Sequence, residues 1–234
     1  MTLALAWFLV LPLASLSDAR RHTWRRFIFQ RWSRLCLACL SVRVTVRGSP
    51  PREACFLVSN HLSYLDIFVL GSRLDAVFVS ALEVANYPFF GLMARSLGTI
   101  FIDRAKKRDI PAVNRQMQAW LEKGYVIVLF PEGTSSRGDR VHAFRPSLLE
   151  PAARSERPLA VATVRYTTTP PDAPASQSVC SVSQSFLAHA LGLLRLKRVV
   201  ATLTFGGELA CNADRKSLAE ILRARVEQNF APLE

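Results

Sequence analysis

The sequence predicts an α/β fold, with a central mixed, mainly parallel sheet flanked by helices and an N-terminal membrane-associating helical segment. Short apolar and β-branched runs alternate with stretches of helical spacing, which is typical of βαβ units. The 234 residues are enough for one such domain with a substantial core. Residues 2–16 are almost wholly apolar, and arginines follow them closely. We therefore divide the chain into a membrane anchor with a basic amphipathic helix, residues 1–40, and an α/β domain, residues 41–234.

The apolar segment 2–16 contains Pro12 and is shorter than the roughly 20 residues that a bilayer-spanning helix requires. A signal peptide carries its positive charge before the apolar part, whereas here the charge follows it. We expect an anchor that dips into one leaflet, or a marginal span. The arginines would then lie on the cytoplasmic side of the membrane.

Residues 20–40 have helical spacing, with apolar side chains at three- and four-residue steps and arginines around much of the rest. The net charge of +12 suits an anionic partner. The sequence has no zinc-finger, RRM-like or helix-turn-helix pattern, so we expect membrane lipids rather than nucleic acid as the partner. The alternative is a helix that packs on its own domain and leaves a solvated basic face. The apolar stripe consists of Trp24, Ile28, Trp32 or Arg31, Leu35 and Cys39.

The rest of the chain divides into strands and helices by its apolar pattern. Strands are predicted over 42–46, 55–58, 76–80, 99–102, 125–130, 159–166 and 199–205. Helices are predicted over 64–70, 110–123 and 217–230, and a surface loop over 167–178. The run 125–130 is the strongest core strand because it is aromatic and β-branched. Strands that alternate with helices favour parallel pairing.

The five cysteines are too scattered, and odd in number, for a disulfide framework, which is typical of a protein in a reducing cytosol. Cys36 and Cys39 form a C-x-x-C pair in a predicted helix, without a second pair. We therefore expect ordinary apolar packing there and no metal site. The others are Cys55, Cys180 and Cys211.

His61 and Asp66 form the first candidate site. They follow the strand predicted over 55–58, at the carboxyl edge of the sheet, where open α/β folds bind ligands. If His61 lies just before a helix and folds back over its first turn, Asp66 can accept a hydrogen bond from one ring nitrogen and leave the other as a base. The alternative is that Ser63 and Asp66 only cap the helix, and that His61 is an ordinary loop histidine.

Two further segments follow predicted strands. Arg104 comes after the strand 99–102, where a guanidinium can bind an anion with two hydrogen bonds, although a surface arginine is the simpler interpretation. The loop after 125–130 offers acceptors, donors and a glycine that lets a ligand approach the backbone: Glu132, Gly133, Thr134, Ser135 and Ser136. It is not a Walker A loop, because the Gly-Lys pair is missing.

Taken together, the three segments resemble the ordered motifs of the lysophospholipid acyltransferase family, which includes the 1-acylglycerol-3-phosphate acyltransferases. The first is Asn60-His61 to Asp66, the second Gly98 to Arg104, and the third Phe130-Pro131-Glu132-Gly133-Thr134. The resemblance runs from about residue 42 to residue 205. It implies that 41–234 is an acyltransferase domain at the cytoplasmic face of the inner membrane.

The resemblance also implies roles. His61 would be the general base, oriented by Asp66, for a hydroxyl that attacks the thioester of acyl-CoA or acyl-carrier protein. Arg104, Glu132 and Gly133 would hold the acceptor head group. The acyl donor is a substrate, and neither a metal nor another cofactor is expected.

The chain departs from the family pattern where the acceptor is bound. Ser135 stands where the family usually has an arginine, and Arg137 or Arg145 can supply that charge instead. The family's Phe-Lys-x-Gly is Phe144-Arg145-Pro146-Ser147 here, and the fourth motif, at 161–164, lacks its proline. We therefore count Thr134, Ser135, Arg137 and Arg145 among the candidate substrate-binding residues.

The predicted function is transfer of a fatty acyl group to the free hydroxyl of a lysolipid. The first expected acceptor is 1-acylglycerol-3-phosphate, which would give phosphatidic acid. One alternative is a lyso-aminolipid such as lyso-ornithine lipid, because a phosphate-binding arginine is replaced. Another is a peripheral membrane-binding protein without catalysis. A serine hydrolase is disfavoured, because the sequence has no Gly-x-Ser-x-Gly elbow.

Overall fold

A computed structural model describes residues 18–87, 90–103, 106, 108, 110–180, 186–209 and 213–233. The predicted anchor 2–16, Arg104 and Cys211 lie outside the described residues. The seven predicted strands are all present, with bounds that differ by a few residues at most. They are β1 (Val42–Arg47), β2 (Phe56–Ser59), β3 (Ala76–Ala81), β4 (Ile100–Ile102), β5 (Val126–Leu129), β6 (Leu159–Thr168) and β7 (Val199–Leu209).

The strands form one sheet in the order β1-β7-β6-β2-β5-β3-β4. Five of them, from β6 to β4, are mutually parallel. β7 pairs with β6 in the antiparallel sense, and β1 is parallel to β7. The prediction of a mixed, mainly parallel sheet is therefore confirmed. β2 lies between β5 and β6, so the segments that follow these three strands meet at one edge.

Position in the sheet explains the apolar patterns of the strands. Every residue of β2 and β5 is buried, because helices cover both faces of the central strands. β1 lies at an edge of the sheet and is buried more on one face than on the other. Alternate residues of the central strands enter two separate hydrophobic clusters: Leu57 and Val128 join one, and Val58 and Ile127 the other.

The helices flank the sheet as predicted. They are α1 (Asp18–Cys39), α2 (Leu65–Gly71), α3 (Phe90–Ser96), α4 (Ile110–Glu122), α5 (Pro146–Ala153), α6 (Ala175–Ser178), α7 (Phe186–Leu193) and α8 (Arg215–Glu227), with a 3₁₀ helix over Leu82–Asn86. The sequence predicts α1, α2, α4 and α8. It misses α3, α5, α6 and α7, which have at most eight residues each. α6 lies inside the predicted surface loop 167–178.

The first helix, α1, packs on the domain. Phe29, Trp32 and Leu37 are buried in the cluster that also holds α2. The Arg25 guanidinium lies over the ring of Trp120, 4.5 Å from its centroid, and donates to the carbonyl oxygen of Leu97. The packing that we considered as the alternative is therefore present on this face.

The opposite side of α1 exposes Trp24, Phe27 and Leu35. Apolar side chains thus lie on both sides of this helix, and the predicted single stripe is divided, with Trp32 inside and Trp24 outside. Within the residues described, no helix is both long enough and apolar enough to cross a membrane. The four described cysteines are free.

Candidate active site

The first candidate pair is formed in the structure. His61 lies in the loop between β2 and α2, and its Nδ1 is 2.8 Å from Oδ2 of Asp66. A carboxylate only accepts hydrogen bonds, so Nδ1 carries the proton and Nε2 is the nitrogen that can accept one. The His61 side chain is 21% exposed and that of Asp66 is 0% exposed. The imidazole ring is therefore partly accessible to solvent, whereas the carboxylate that binds it is shielded from water.

Asp66 also binds the loop that precedes α2. Its Oδ2 accepts hydrogen bonds from the backbone N–H groups of Leu62, at 2.7 Å, and Ser63, at 3.0 Å. Its Oδ1 accepts a hydrogen bond from the hydroxyl of Tyr166 at 2.7 Å. The predicted pairing is therefore present, whereas the predicted capping box is not: Tyr64 is the residue that precedes α2, and no side chain caps this helix.

Glu132 connects the loop after β5 to this pair. Its Oε1 accepts from the backbone N–H of His61 at 2.8 Å, and its Oε2 accepts from that of His142 at 3.0 Å. The backbone N–H of Ser136 returns a hydrogen bond to the carbonyl of His61 at 2.9 Å. Burial raises the pKa of Glu132, and the hydrogen bonds from His61 and His142 oppose that shift. In this structure Glu132 therefore holds the backbone of His61 in place. This contact is separate from the role that the family resemblance implies for Glu132, which is to bind the acceptor head group.

Asn60 fixes the other side of the loop. Its side-chain amide donates to the carbonyl of Val164 at 2.9 Å and accepts from the N–H of the same residue at 2.8 Å. This exchange continues the β2–β6 ladder one residue beyond Ser59, the last residue of β2. Above it, the imidazole of His61 stacks on Phe130, with ring centroids 4.2 Å apart and planes at 20°. The ring is thus fixed in direction by Asp66 and in plane by Phe130.

The remaining candidate residues lie in a more open part of the site. Gly133 has a φ of +77°, a left-handed conformation that glycine adopts without strain. Thr134, Arg137 and Arg145 have exposed side chains, and Ser135 is half-buried. The N–H of Arg145 donates to the carbonyl of Pro131 at 2.8 Å, which brings the two parts of this long loop together. Arg104 is outside the described residues, and its role stays a prediction.

Sequence reasoning missed three contributors to this geometry. Asn60 was part of the matched motif but had no assigned role, although its place directly after a buried strand was a usable clue. Tyr166 is 100 residues from Asp66 and no local pattern indicates it. His142 acts here through its backbone N–H, which almost any residue could supply.

Comparisons with known proteins identify the family of this chain. A mixed α/β sheet that carries a histidine–aspartate pair at its carboxyl edge, beside a Glu-Gly-Thr loop, defines the class as an acyltransferase domain. The sequence model of the family described as Acyltransferase matches residues 42–170, and the chain belongs to that family. The resemblance noted in the sequence is confirmed.

The chain is also similar to several individual proteins. The chain is 39% identical over 130 residues to a lyso-ornithine lipid O-acyltransferase of Rhizobium meliloti, covering 55% of this chain and 44% of that protein. It is 32% identical over 188 residues to a protein of the same name from Pseudomonas aeruginosa, covering 80% and 70%. It is 30% identical over 132 residues to a 1-acyl-sn-glycerol-3-phosphate acyltransferase of Neisseria meningitidis, covering 56% and 52%.

A solved structure shares the fold. The 1-acyl-sn-glycerophosphate (LPA) acyltransferase PlsC from Thermotoga maritima matches with a TM-score of 0.69, over 97% of this chain and 87% of that one. The sequences are 17% identical, so the likeness concerns the fold alone.

Proposed function

We propose that this chain transfers a fatty acyl group from acyl-CoA or acyl-carrier protein to the free hydroxyl of a lysolipid. The observation that carries the proposal is the pairing of Nδ1 of His61 with a fully buried carboxylate of Asp66. This pairing fixes the tautomer and leaves Nε2 on the exposed side as a base. Membership of the acyltransferase family supports the same chemistry.

The reaction follows from this geometry. Nε2 of His61 takes the proton of the acceptor hydroxyl while that oxygen attacks the thioester carbonyl carbon. The tetrahedral intermediate collapses with cleavage of the C–S bond, and the departing thiolate takes the proton back from the imidazolium. Asp66 stabilises the imidazolium while it exists. General base catalysis of this kind is typically worth about 10²–10⁴-fold. No metal or further cofactor enters any of these steps.

Two acceptors compete, and we favour the lyso-aminolipid, such as lyso-ornithine lipid, over 1-acylglycerol-3-phosphate. Ser135 stands where the family usually has an arginine, which removes a charge-assisted contact to a phosphate. The relatives from Rhizobium meliloti and Pseudomonas aeruginosa carry the lyso-ornithine name. The alignment with the former covers 44% of that protein.

We also propose that the protein works at the cytoplasmic face of the inner membrane. On the outer side of α1, the rings of Trp24 and Phe27 stack at 6.1 Å, and the guanidinium of Arg31 lies 5.0 Å from the Phe27 ring centroid. Aromatic side chains beside arginines suit the interface between lipid chains and anionic head groups. This face supports the expectation that membrane lipids are partners.

The test is acyl transfer by membranes that contain the wild type, His61→Ala or His22→Ala. Labelled acyl-CoA and acyl-carrier protein are each offered with lyso-ornithine lipid and with 1-acylglycerol-3-phosphate. We expect His61→Ala to lose at least 10²-fold in rate. His22→Ala is the matched control, because His22 contacts Trp120 and Tyr125 at the opposite end of the sheet and should keep its activity.

Transfer by a folded His61→Ala variant at the wild-type rate would contradict the role of the base. If the wild type transfers to neither acceptor, the non-catalytic membrane-binding alternative is favoured. A clear preference for 1-acylglycerol-3-phosphate would reverse our order of acceptors without affecting the proposed chemistry.

A further inference from the structure

A buried tyrosine reaches the active-site pair from a distant part of the chain. Tyr166 lies in β6, is 0% exposed, and donates its hydroxyl to Oδ1 of Asp66 at 2.7 Å. The acceptor in this bond is a carboxylate, so the tyrosine hydroxyl must be the donor. None of the matched motifs contains Tyr166, and the mechanism above does not use it.

We propose that Tyr166 is a positioning residue, whose hydroxyl holds the Asp66 carboxylate in the orientation that presents Oδ2 to His61. This inference rests on the proposed function, because it assigns Tyr166 to the same reaction.

The distribution of hydrogen bonds supports this role. Oδ2 of Asp66 accepts from His61 and from the N–H groups of Leu62 and Ser63, whereas Oδ1 accepts from Tyr166. A carboxylate rotates readily about its Cβ–Cγ bond, and a contact on Oδ1 opposes that rotation. Burial, reinforced by the Asp66 charge, raises the pKa of Tyr166 well above its usual range, so the hydroxyl stays a donor.

Other titratable groups lie near the pair. They include Glu132, with His142 beyond it, and Cys180, which interacts electrostatically with Asp66 and with Tyr166. Burial raises the pKa of Cys180 to about 12, so this thiol stays protonated near neutral pH. A single substitution at 166 leaves all of these groups in place.

The experiment compares Tyr166→Phe with Tyr125→Phe in the full chain. Tyr125 is an equally buried tyrosine, but it donates to the carbonyl of His22 at the far end of the sheet. For Tyr166→Phe we expect kcat to fall about tenfold while KM for the acceptor stays unchanged, the size expected for one hydrogen bond to a charged group. The NMR chemical shift of the His61 Nδ1 proton, which reports its hydrogen bond to Asp66, should also change. Tyr125→Phe should change neither quantity.

A second measurement separates positioning from general damage to the fold. In an Asp66→Asn background, Tyr166→Phe should cost much less in kcat than in the wild type, because the charge that it orients is gone. Full additivity, an unchanged Nδ1 proton shift in Tyr166→Phe, or an equal effect of Tyr125→Phe would overturn the inference. If the wild type transfers no acyl group, the proposed function fails, whereas the Nδ1 proton shift still decides whether Tyr166 acts on the pair.

Discussion

The loops that follow β2 and β5 meet at the same edge of the sheet, yet they are held very differently. The loop after β2 carries His61 and is fixed by two other parts of the chain: the buried Glu132 after β5, and β6 through the backbone of Val164 and the side chain of Tyr166. In the loop after β5, other candidate side chains are exposed, among them Thr134 and Arg137.

The difference separates the loop that holds the catalytic base from the loop that would bind the head group. A base must be held close to its productive geometry, which buried and fully hydrogen-bonded contacts achieve. A head-group site can change its exposed side chains with little effect on the fold, because such substitutions usually alter the free energy of unfolding by less than about 0.5 kcal/mol. This contrast explains why the chain keeps the His61–Asp66 pair but departs from its family at Ser135.

The largest expected effect comes from removing the charge of Asp66, which binds the fixed loop. This is the loop after β2 that carries His61. In Asp66→Asn, the remaining oxygen can still accept from His61, and the new amide can donate to Tyr166. The positions of these side chains are thus largely kept, whereas the negative charge that stabilises the imidazolium of His61 is lost. We expect kcat to fall by about 10²–10⁴-fold, measured as acyl transfer with KM determined separately.

Asp75→Asn is the matched control for that experiment. Asp75 accepts from Gln30 at 2.9 Å and pairs with Arg26 at 3.4 Å, at the other end of the sheet. The Asp75→Asn variant should retain activity. A folded Asp66→Asn variant within threefold of the wild-type kcat would show that the carboxylate only supports the loop before α2.

The sequence predicted what is local and missed what depends on the register of the sheet. His61 and Asp66 are five residues apart after a recognisable strand, so their pairing was one of the two interpretations that the local sequence allowed. The hydrogen bond from His61 to Glu132 spans 71 residues and exists because β2 lies beside β5. That from Tyr166 to Asp66 spans 100 residues and depends on β6 as the other neighbour. Strand order is decided by the packing of the whole chain, which no short pattern contains.

A smaller effect is expected at the contact between the two loops. In Glu132→Gln, one side-chain oxygen still accepts, but the amide group faces a backbone N–H that it cannot bind. A buried donor left without its acceptor costs about 1–3 kcal/mol, which lowers Tm by several degrees in a chain of this size. We expect kcat to fall about 10- to 100-fold as His61 loses its support. Thermal unfolding and kinetics measure the two effects.

Glu150→Gln makes the same chemical change away from the site. Glu150 pairs with Arg154 and Arg215 near the surface, where such ion pairs contribute little to stability. It should leave kcat and Tm almost unchanged. If Glu132→Gln raised KM for the acceptor and left both Tm and kcat unchanged, Glu132 would be a head-group ligand, as the family resemblance implies, and the fixed loop would not depend on it.

The smallest effect on the fold is expected for substitutions of the exposed arginines Arg137 and Arg145. These substitutions also test most directly the contrast between the two loops. Arg137→Gln and Arg145→Gln each remove a charge that can replace the missing one at Ser135. If a phosphate is bound, each should raise KM for 1-acylglycerol-3-phosphate about tenfold, the size of one charged hydrogen bond. KM for a lyso-aminolipid, whose amine offsets its anionic group, should rise less. Tm and kcat should stay constant.

Arg140→Gln distinguishes specific contact from general attraction, because Arg140 is exposed in the same loop and pairs loosely with Asp139 at 3.9 Å. An equal rise in KM for all three variants would mean that the loop attracts anions without binding a head group. A fall in kcat or Tm for Arg137→Gln or Arg145→Gln would mean that these side chains support the base. The division between a fixed catalytic loop and an adaptable recognition loop would then be wrong, because both loops would act as one unit.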